Sequence, residues 1–122
     1  MGSKHTGKEA FVSPRLRIIR GREIALGPGR VELLELIERT GNLRAAAKAM
    51  GVSYMRAWNL LRYTNRCFAE PLVVAVRGGK SGGGAELTKT GKRIVAIYRE
   101  MEKRSVTAMR EPWAKLRKRL RK

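Results

Sequence analysis

Hydrophobic and polar positions follow two different periods along this chain, and each change of period marks a new element. Residues 15–26, RLRIIRGREIAL, begin by alternating Arg with Leu or Ile, the period-two pattern of a half-buried strand. Gly21 predicts a turn into a second strand over residues 23–26. We therefore expect an N-terminal β-hairpin, preceded by a polar arm over residues 1–14.

Three predicted helices follow the hairpin, with glycines between them. The first has a wide apolar face and ends at Gly41. Asn42 and Ser53 are placed to cap a second helix over residues 43–50 and a third over residues 54–68. Three helices joined by turns of a few residues predict a helix-turn-helix. The charged positions of the first helix are expected to face water: Glu32, Glu35, Glu38 and Arg39.

A glycine-rich segment then separates two short apolar runs. Residues 72–76 and 85–87 are predicted strands, and the loop between them carries Lys80 and Ser81, so together they predict a basic wing. Gly-Lys-Ser in this loop resembles the end of a phosphate-binding P-loop. That motif requires a glycine where Val74 stands and a helix directly afterwards, so the nucleotide-binding interpretation fails.

A long helix is predicted after Thr88, and its apolar positions suggest a partner helix. Five residues are spaced 4, 3, 4 and 3, which is typical of a seam between two helices. They are Ile94, Tyr98, Met101, Ser105 and Ala108. Pro112 predicts a break near Arg110 and a last helix that starts at Pro112. That helix is basic and amphipathic, and a phosphate contact and a merely solvated end remain equal alternatives for it.

Composition excludes most catalytic chemistry and favours an anionic partner. The 122 residues include 28 Lys and Arg against 10 acidic residues, all Glu, so the net charge is 28 − 10 = +18. With one His, one Cys and no Asp, we expect no catalytic residues, no metal and no cofactor. Nucleic acid is the commonest partner of so basic a domain. Without a long apolar run we expect no membrane contact and a cytoplasmic, nucleoid-associated protein.

The start of the third helix supplies the candidate base contacts. Arg56 is able to form a bidentate contact with guanine and Asn59 with adenine, while Arg62 suits a phosphate. A lone arginine would favour a solvated surface helix instead; the cluster favours DNA. We expect Ala57, Trp58, Leu61 and Cys67 to lie in the core. The full set of predicted DNA contacts is Ser53, Tyr54, Met55, Arg56, Asn59, Arg62, Arg77, Lys80 and Ser81.

Two segments together resemble the N-terminal DNA-binding domain of ModE-type molybdenum-responsive regulators. They are GPGRVELLELIERTGNLRAAAKAMGVSYMRAWNLLRYTNRCFAEPLV and GGKSGGGAELTKTGKRIVAIY, within about residues 16–101. The most specific positions are Ser53, Tyr54, Ala57, Trp58, Leu87, Thr88 and Gly91. The resemblance implies a winged helix related to LysR-type regulators, with the long last helix pairing two subunits.

The resemblance also sets the predicted domain limits and partners. We expect a winged helix-turn-helix over residues 15–101, mainly α within the α+β class, and a helical basic tail over residues 102–122. The family's molybdate-binding domains have no counterpart after Met101, so we expect no molybdate binding. Met55 stands where many relatives carry a basic residue, so the operator is expected to differ.

Three function classes follow, and they differ in how the chain would use nucleic acid. A homodimeric regulator of transcription that binds double-stranded DNA is the first. An architectural, chromatin-like protein with little sequence preference is the alternative, favoured by the +18 charge. RNA binding is third, because the exposed aromatic platform that single-stranded RNA needs is not evident in the sequence.

Overall fold

The computed structural model describes residues 9–76 and 84–122, and its elements follow the predicted order. They are β1 (Ile18–Arg20), β2 (Glu23–Leu26), α1 (Pro28–Thr40), α2 (Leu43–Met50), α3 (Tyr54–Arg66), β3 (Val73–Val76), β4 (Gly84–Leu87), α4 (Lys89–Ala108) and α5 (Arg110–Arg117). Each pair of strands forms its own antiparallel sheet. Three helices followed by a hairpin and a long helix make a winged helix-turn-helix, as the sequence predicts.

Capping residues set the boundaries of the first two helices. Gly41 follows α1 with a φ of 69° and Gly51 follows α2 with a φ of 75°, a left-handed conformation that favours glycine. The side-chain oxygen of Asn42 accepts a hydrogen bond from the N–H of Ala45 at 2.9 Å and starts α2. These contacts are local, so the sequence locates the helix boundaries correctly.

The core lies where α1 meets the other helices and the second hairpin. Three small buried side chains, Ala46, Ala47 and Ala57, allow α2 and α3 to pack closely. Leu72 and Val95 close the core on the side of the hairpin and α4. The first helix contributes the largest share, with Val31, Leu33, Leu34, Leu36 and Ile37.

Glu35 departs from the predicted pattern because it does not simply face water. Its carboxylate is half-buried and accepts two hydrogen bonds from the guanidinium of Arg99 on α4, one of them at 2.9 Å. Arg99 also donates to Glu102 at 2.7 Å. The hydrogen bond with Glu35 is the main cause that raises the pKa of Arg99 above its usual value. Helical periodicity could not reveal this contact, because α4 is distant in sequence.

Tyr98 belongs to the chain's own core, which corrects its predicted place in a seam between helices. Its side chain is 1% exposed, and its hydroxyl donates to the backbone carbonyl of Leu16 at 2.8 Å. Burial raises the pKa of this hydroxyl. Ile94 packs against the same core, whereas Ile97 and Met101 are exposed. The apolar stripe on the surface of α4 therefore includes Ile97 in place of Tyr98.

The long helix starts where predicted, and the last helix starts earlier. Thr88 caps α4, its hydroxyl accepting from the N–H of Gly91 at 2.9 Å. The chain leaves helical geometry at Met109, and α5 begins at Arg110, two residues before the predicted start at Pro112. Proline fits in the first turn because the first N–H groups of a helix have no carbonyl partner within the helix.

Gly91 is predicted to be irreplaceable for a steric reason. A Cβ atom there would lie 2.1 Å from the carbonyl oxygen of Leu72, which also accepts a hydrogen bond from the N–H of Thr88. We expect Gly91→Ala to destabilise the protein by at least about 1–3 kcal/mol.

Gly29→Ala is the matched control, because a Cβ at this helical glycine meets nothing within 4 Å. Alanine there should raise the stability by up to about 1 kcal/mol, since glycine is a poor helix former. Chemical unfolding, monitored by circular dichroism, measures the free energy of unfolding of both variants. Equal effects of the two substitutions would contradict the packing of α4 against Leu72.

Candidate nucleic-acid interface

The first turn of α3 presents its predicted contact residues to solvent. The hydroxyl of Ser53 accepts a hydrogen bond from the N–H of Arg56 at 3.1 Å, so the helix begins at Tyr54 as predicted. Met55 is 59% exposed, and Arg56 and Asn59 are also exposed. These side chains are therefore accessible to a large ligand.

The exposed side chains of α3 form one continuous face. Successive residues of a regular helix are about 100° apart, which aligns Met55, Asn59 and Arg62 along the middle of that face. Trp58 lies on one flank and Arg56 on the other. The predicted contact residues on α3 are thus brought together; Tyr54 is partly buried against the core, and Met55, Arg56, Asn59 and Arg62 are exposed.

Trp58 is not a core residue, which corrects the prediction. The side chain is 39% exposed, and the guanidinium carbon of Arg62 lies 5.4 Å from the ring centroid. Of its neighbours, Ala57 is fully buried as predicted and Leu61 packs against the core. Trp58 and Arg62 therefore place an aromatic ring and a cation side by side at the surface of α3. The spacing of four residues between them was a readable signal.

Two further arginines, neither predicted as a contact, stack on aromatic rings in the same way. Arg44 of α2 lies 4.5 Å from the ring centroid of Tyr54, and Arg66 lies 4.9 Å from that of Tyr63. The second pair has helical spacing and could have been found in the sequence. The first joins two helices, so only the tertiary structure reveals it.

Asn65 connects α3 to the base of the β3–β4 hairpin. Its side-chain oxygen accepts hydrogen bonds from the N–H groups of Leu72 at 2.8 Å and Val73 at 3.3 Å. Its side-chain nitrogen donates to the carbonyl of Val73 at 3.2 Å. One carboxamide therefore fixes where the hairpin leaves the helix. No sequence pattern indicated this role.

The predicted wing contacts Arg77, Lys80 and Ser81 lie outside the described residues. The described part of the hairpin has Val73 opposite Leu87 and Val76 opposite Gly84. Its strands agree with the predicted ones to within a residue at each start.

The C-terminal end of α3 is anchored to the first hairpin by an ion pair. Arg66 donates to the carboxylate of Glu23 at 2.8 Å, and this hydrogen bond lowers the pKa of Glu23. The thiol of Cys67 lies 3.7 Å from the same carboxylate. Cys67 is the half-buried residue that ends α3, not the core residue that the sequence predicted.

The helix-turn-helix segment is uniformly basic. Residues 39–69 contain no Asp or Glu. Every charged side chain there is a cation: Arg39, Arg44, Lys48, Arg56, Arg62 and Arg66. An anion approaching α3 therefore meets no like charge from this segment, which favours phosphate groups.

The described residues offer neither a metal site nor a membrane span. Within residues 9–76 and 84–122, no group of three or more His, Cys or Glu side chains is arranged to hold a metal ion. No helix in this described part of the chain is long and apolar enough to cross a bilayer.

Solved structures with the same fold include a DNA-binding domain in complex with DNA and a LysR family transcriptional regulator. The crystal structure of the CbnR DNA-binding domain in complex with DNA matches with a TM-score of 0.56 and 18% identity, covering 72% of this chain and 95% of that one. VV2_1132, a LysR family transcriptional regulator, matches with a TM-score of 0.50 and 23% identity over 72% of this chain and 28% of that one. The winged helix-turn-helix fold is confirmed.

Curated proteins similar in sequence are ModE-type proteins, so the predicted resemblance is confirmed. The molybdenum transport protein ModE of Azotobacter vinelandii is 50% identical over 78 residues, 64% of this chain. The molybdenum-pterin-binding protein MopB of Rhodobacter capsulatus is 46% identical over 77 residues, and the dual regulator ModE of Escherichia coli K12 is 39% identical over 71. The matches span less than a third of each relative's length, 29%, 28% and 27% respectively. No family model matches the chain.

Asn65→Ala is expected to destabilise the protein by about 1–3 kcal/mol, because it leaves buried backbone groups at the start of β3 without partners. Asn59→Ala makes the same change on the exposed face of the same helix and should alter the stability by less than about 0.5 kcal/mol. Denaturant unfolding measures the difference. Equal stabilities would show that water replaces the Asn65 hydrogen bonds and that the hairpin is held by other contacts.

Proposed function

We propose that this chain binds double-stranded DNA through α3 and regulates transcription. The observation that carries the proposal is the continuous exposed face of α3, with Met55, Asn59 and Arg62 along its middle, in a segment free of acidic residues. A single α-helix fits the major groove of B-DNA and presents side chains to base edges there. The regulatory names of the similar proteins and the DNA complex of the CbnR domain support it.

Each contact residue has a role that its chemistry suits. Arg56 is proposed to bind guanine and Asn59 adenine, each with two hydrogen bonds, while Met55 contacts a thymine methyl group. Arg62 is proposed to bind a phosphate. Ser53 and Tyr54 lie at the helix start, where first-turn residues of such helices approach the bases. The wing residues Arg77, Lys80 and Ser81 are proposed backbone or minor-groove contacts.

Base contacts and phosphate contacts are separable by substitution. A preferred site is first selected from random duplexes. Asn59→Ala and Arg56→Ala should each weaken binding to that site by about 1–3 kcal/mol and leave random DNA nearly unaffected. Lys118→Ala, directly after α5, is expected to weaken both about equally and to reduce the salt slope by about 1. Fluorescence anisotropy at several salt concentrations measures both effects.

The competing proposal is an architectural protein that coats DNA with little sequence preference. The C-terminal end of the chain favours it, with seven cations against the single carboxylate of Glu111. They are Arg110, Lys115, Arg117, Lys118, Arg119, Arg121 and Lys122. Equal losses on preferred and random DNA for Asn59→Ala would support this alternative, as would continuous rather than discrete occupancy along a genome.

We propose that two copies pair through the exposed stripe of α4. The stripe centres on Ile97, 46% exposed, and Met101, 41% exposed, and a shallow groove runs along it between Arg93 and Arg104. Ile97, Met101, Arg104 and Ala108 again have the spacing 4, 3 and 4 that suits a helix pair. Two-fold pairing is common among helix-turn-helix proteins, since their operators have matching symmetry.

Ile97→Glu with Met101→Glu should convert the dimer to monomer, because it places carboxylates opposite each other in a desolvated contact. Lys92→Gln with Lys103→Gln is the control: it changes the net charge equally, away from the stripe, and should leave the dimer intact. Light scattering gives the mass of each variant. A dimer that survives the glutamates would place the contact elsewhere on the chain.

A further inference from the structure

An open cleft of about 310 Å³ separates α3 from the β3–β4 hairpin. Its helix side is lined by Tyr54, Trp58 and Arg62, and its hairpin side includes Val74. Asn65 also lines the cleft, and its side chain hydrogen-bonds the backbone of Leu72 and Val73, which connects the two sides. The cleft is therefore a shaped feature of the fold, with a width set by hydrogen bonds.

The walls of the cleft combine apolar surface with the cation of Arg62, and Arg44 lies beside them, next to the lining residue Leu43. Trp58 is 39% exposed and Val74 is 40% exposed, a large apolar area for so basic a face. Arg62 is held over the Trp58 ring and Arg44 over the Tyr54 ring. Stacking holds each guanidinium beside an aromatic face while its N–H groups stay available for hydrogen bonds.

A nucleic-acid backbone has the same alternation, since apolar deoxyribose edges repeat between anionic phosphates. We propose that this cleft holds one sugar–phosphate strand of duplex DNA, with Trp58 and Val74 against deoxyribose and Arg44 and Arg62 on the neighbouring phosphates. The cleft flanks the Asn59 face, so the strand it holds borders the groove that α3 enters. This inference rests on the proposed function and adds Trp58, Val74 and Arg44 to the phosphate contact already proposed for Arg62.

Contacts with the DNA backbone do not depend on the base sequence, so a duplex of mixed base sequence at low salt is a sufficient probe. The chain has two tryptophans, Trp58 and Trp113. Trp113→Phe leaves Trp58 as the single indole, and its fluorescence then reports directly on the cleft. Saturating duplex should shield Trp58 from acrylamide and shift its emission to shorter wavelength.

Affinity measurements test how much the aromatic lining of the cleft contributes to DNA binding. Trp58→Ala should raise the Kd for mixed duplex about tenfold, as loss of a well-packed aromatic contact does. Tyr63→Ala is the matched control, an exposed aromatic residue of α3 that also carries a stacked arginine but lies outside the cleft lining. The Tyr63→Ala variant should leave the shielding of Trp58 from acrylamide by the duplex unchanged. Circular dichroism confirms that each variant is folded.

Phosphate contacts are tested by the salt dependence. Arg44→Gln and Arg62→Gln should each reduce the slope of log K against log salt by about 1. Lys103→Gln on α4 removes the same charge away from the cleft and should leave the slope unchanged. An unchanged slope for both arginine variants would overturn their assignment to phosphates.

The remaining outcomes separate this inference from the proposed function. If duplex binds and Trp58 stays equally accessible to acrylamide, the cleft is not the strand site, and DNA binding itself still stands. If single-stranded DNA of the same sequence binds more tightly and shields Trp58 more, the ring stacks on an unpaired base and the inference is wrong. If neither form binds at low salt, the proposed function fails as well.

Discussion

The geometry of the face shared by α3 and the β3–β4 hairpin depends on the carboxamide of Asn65. Buried backbone groups at the start of β3 need hydrogen-bond partners, and one side chain of α3 supplies three of them. The carbonyl of Leu72 is held in turn by the N–H of Thr88 and lies against Gly91. Three elements, α3, the hairpin and α4, therefore meet at Leu72.

Stacked arginines give the basic surface a defined shape. A lysine or arginine on a solvated helix loses side-chain entropy when it binds a phosphate. Arg44, Arg62 and Arg66 each already lie over an aromatic ring. Folding has therefore already restricted these side chains, so they lose less entropy when they bind a phosphate. The guanidinium positions are set before any ligand arrives.

The long helix α4 has two faces with different tasks. One face contributes Val95 and Tyr98 to the core and carries the Arg99 ion pair with Glu35 of α1. A neighbouring face exposes Ile97 and Met101. Because α4 is packed rigidly on the helix-turn-helix, pairing through the exposed face would fix the distance between two copies of α3, and hence the spacing of two half-sites.

The sequence by itself determined the elements and their order, since caps, glycine turns and apolar periodicity act between residues a few positions apart. Gly41, Asn42, Ser53 and Thr88 stand where the helices end or begin. Only the tertiary structure decided which apolar side chains of these helices are buried. Trp58 proved exposed and Tyr98 internal, because burial depends on which distant element covers each face. The Asn65 hydrogen bonds and the Arg44–Tyr54 stack were equally invisible, as they join elements whose approach no local pattern encodes.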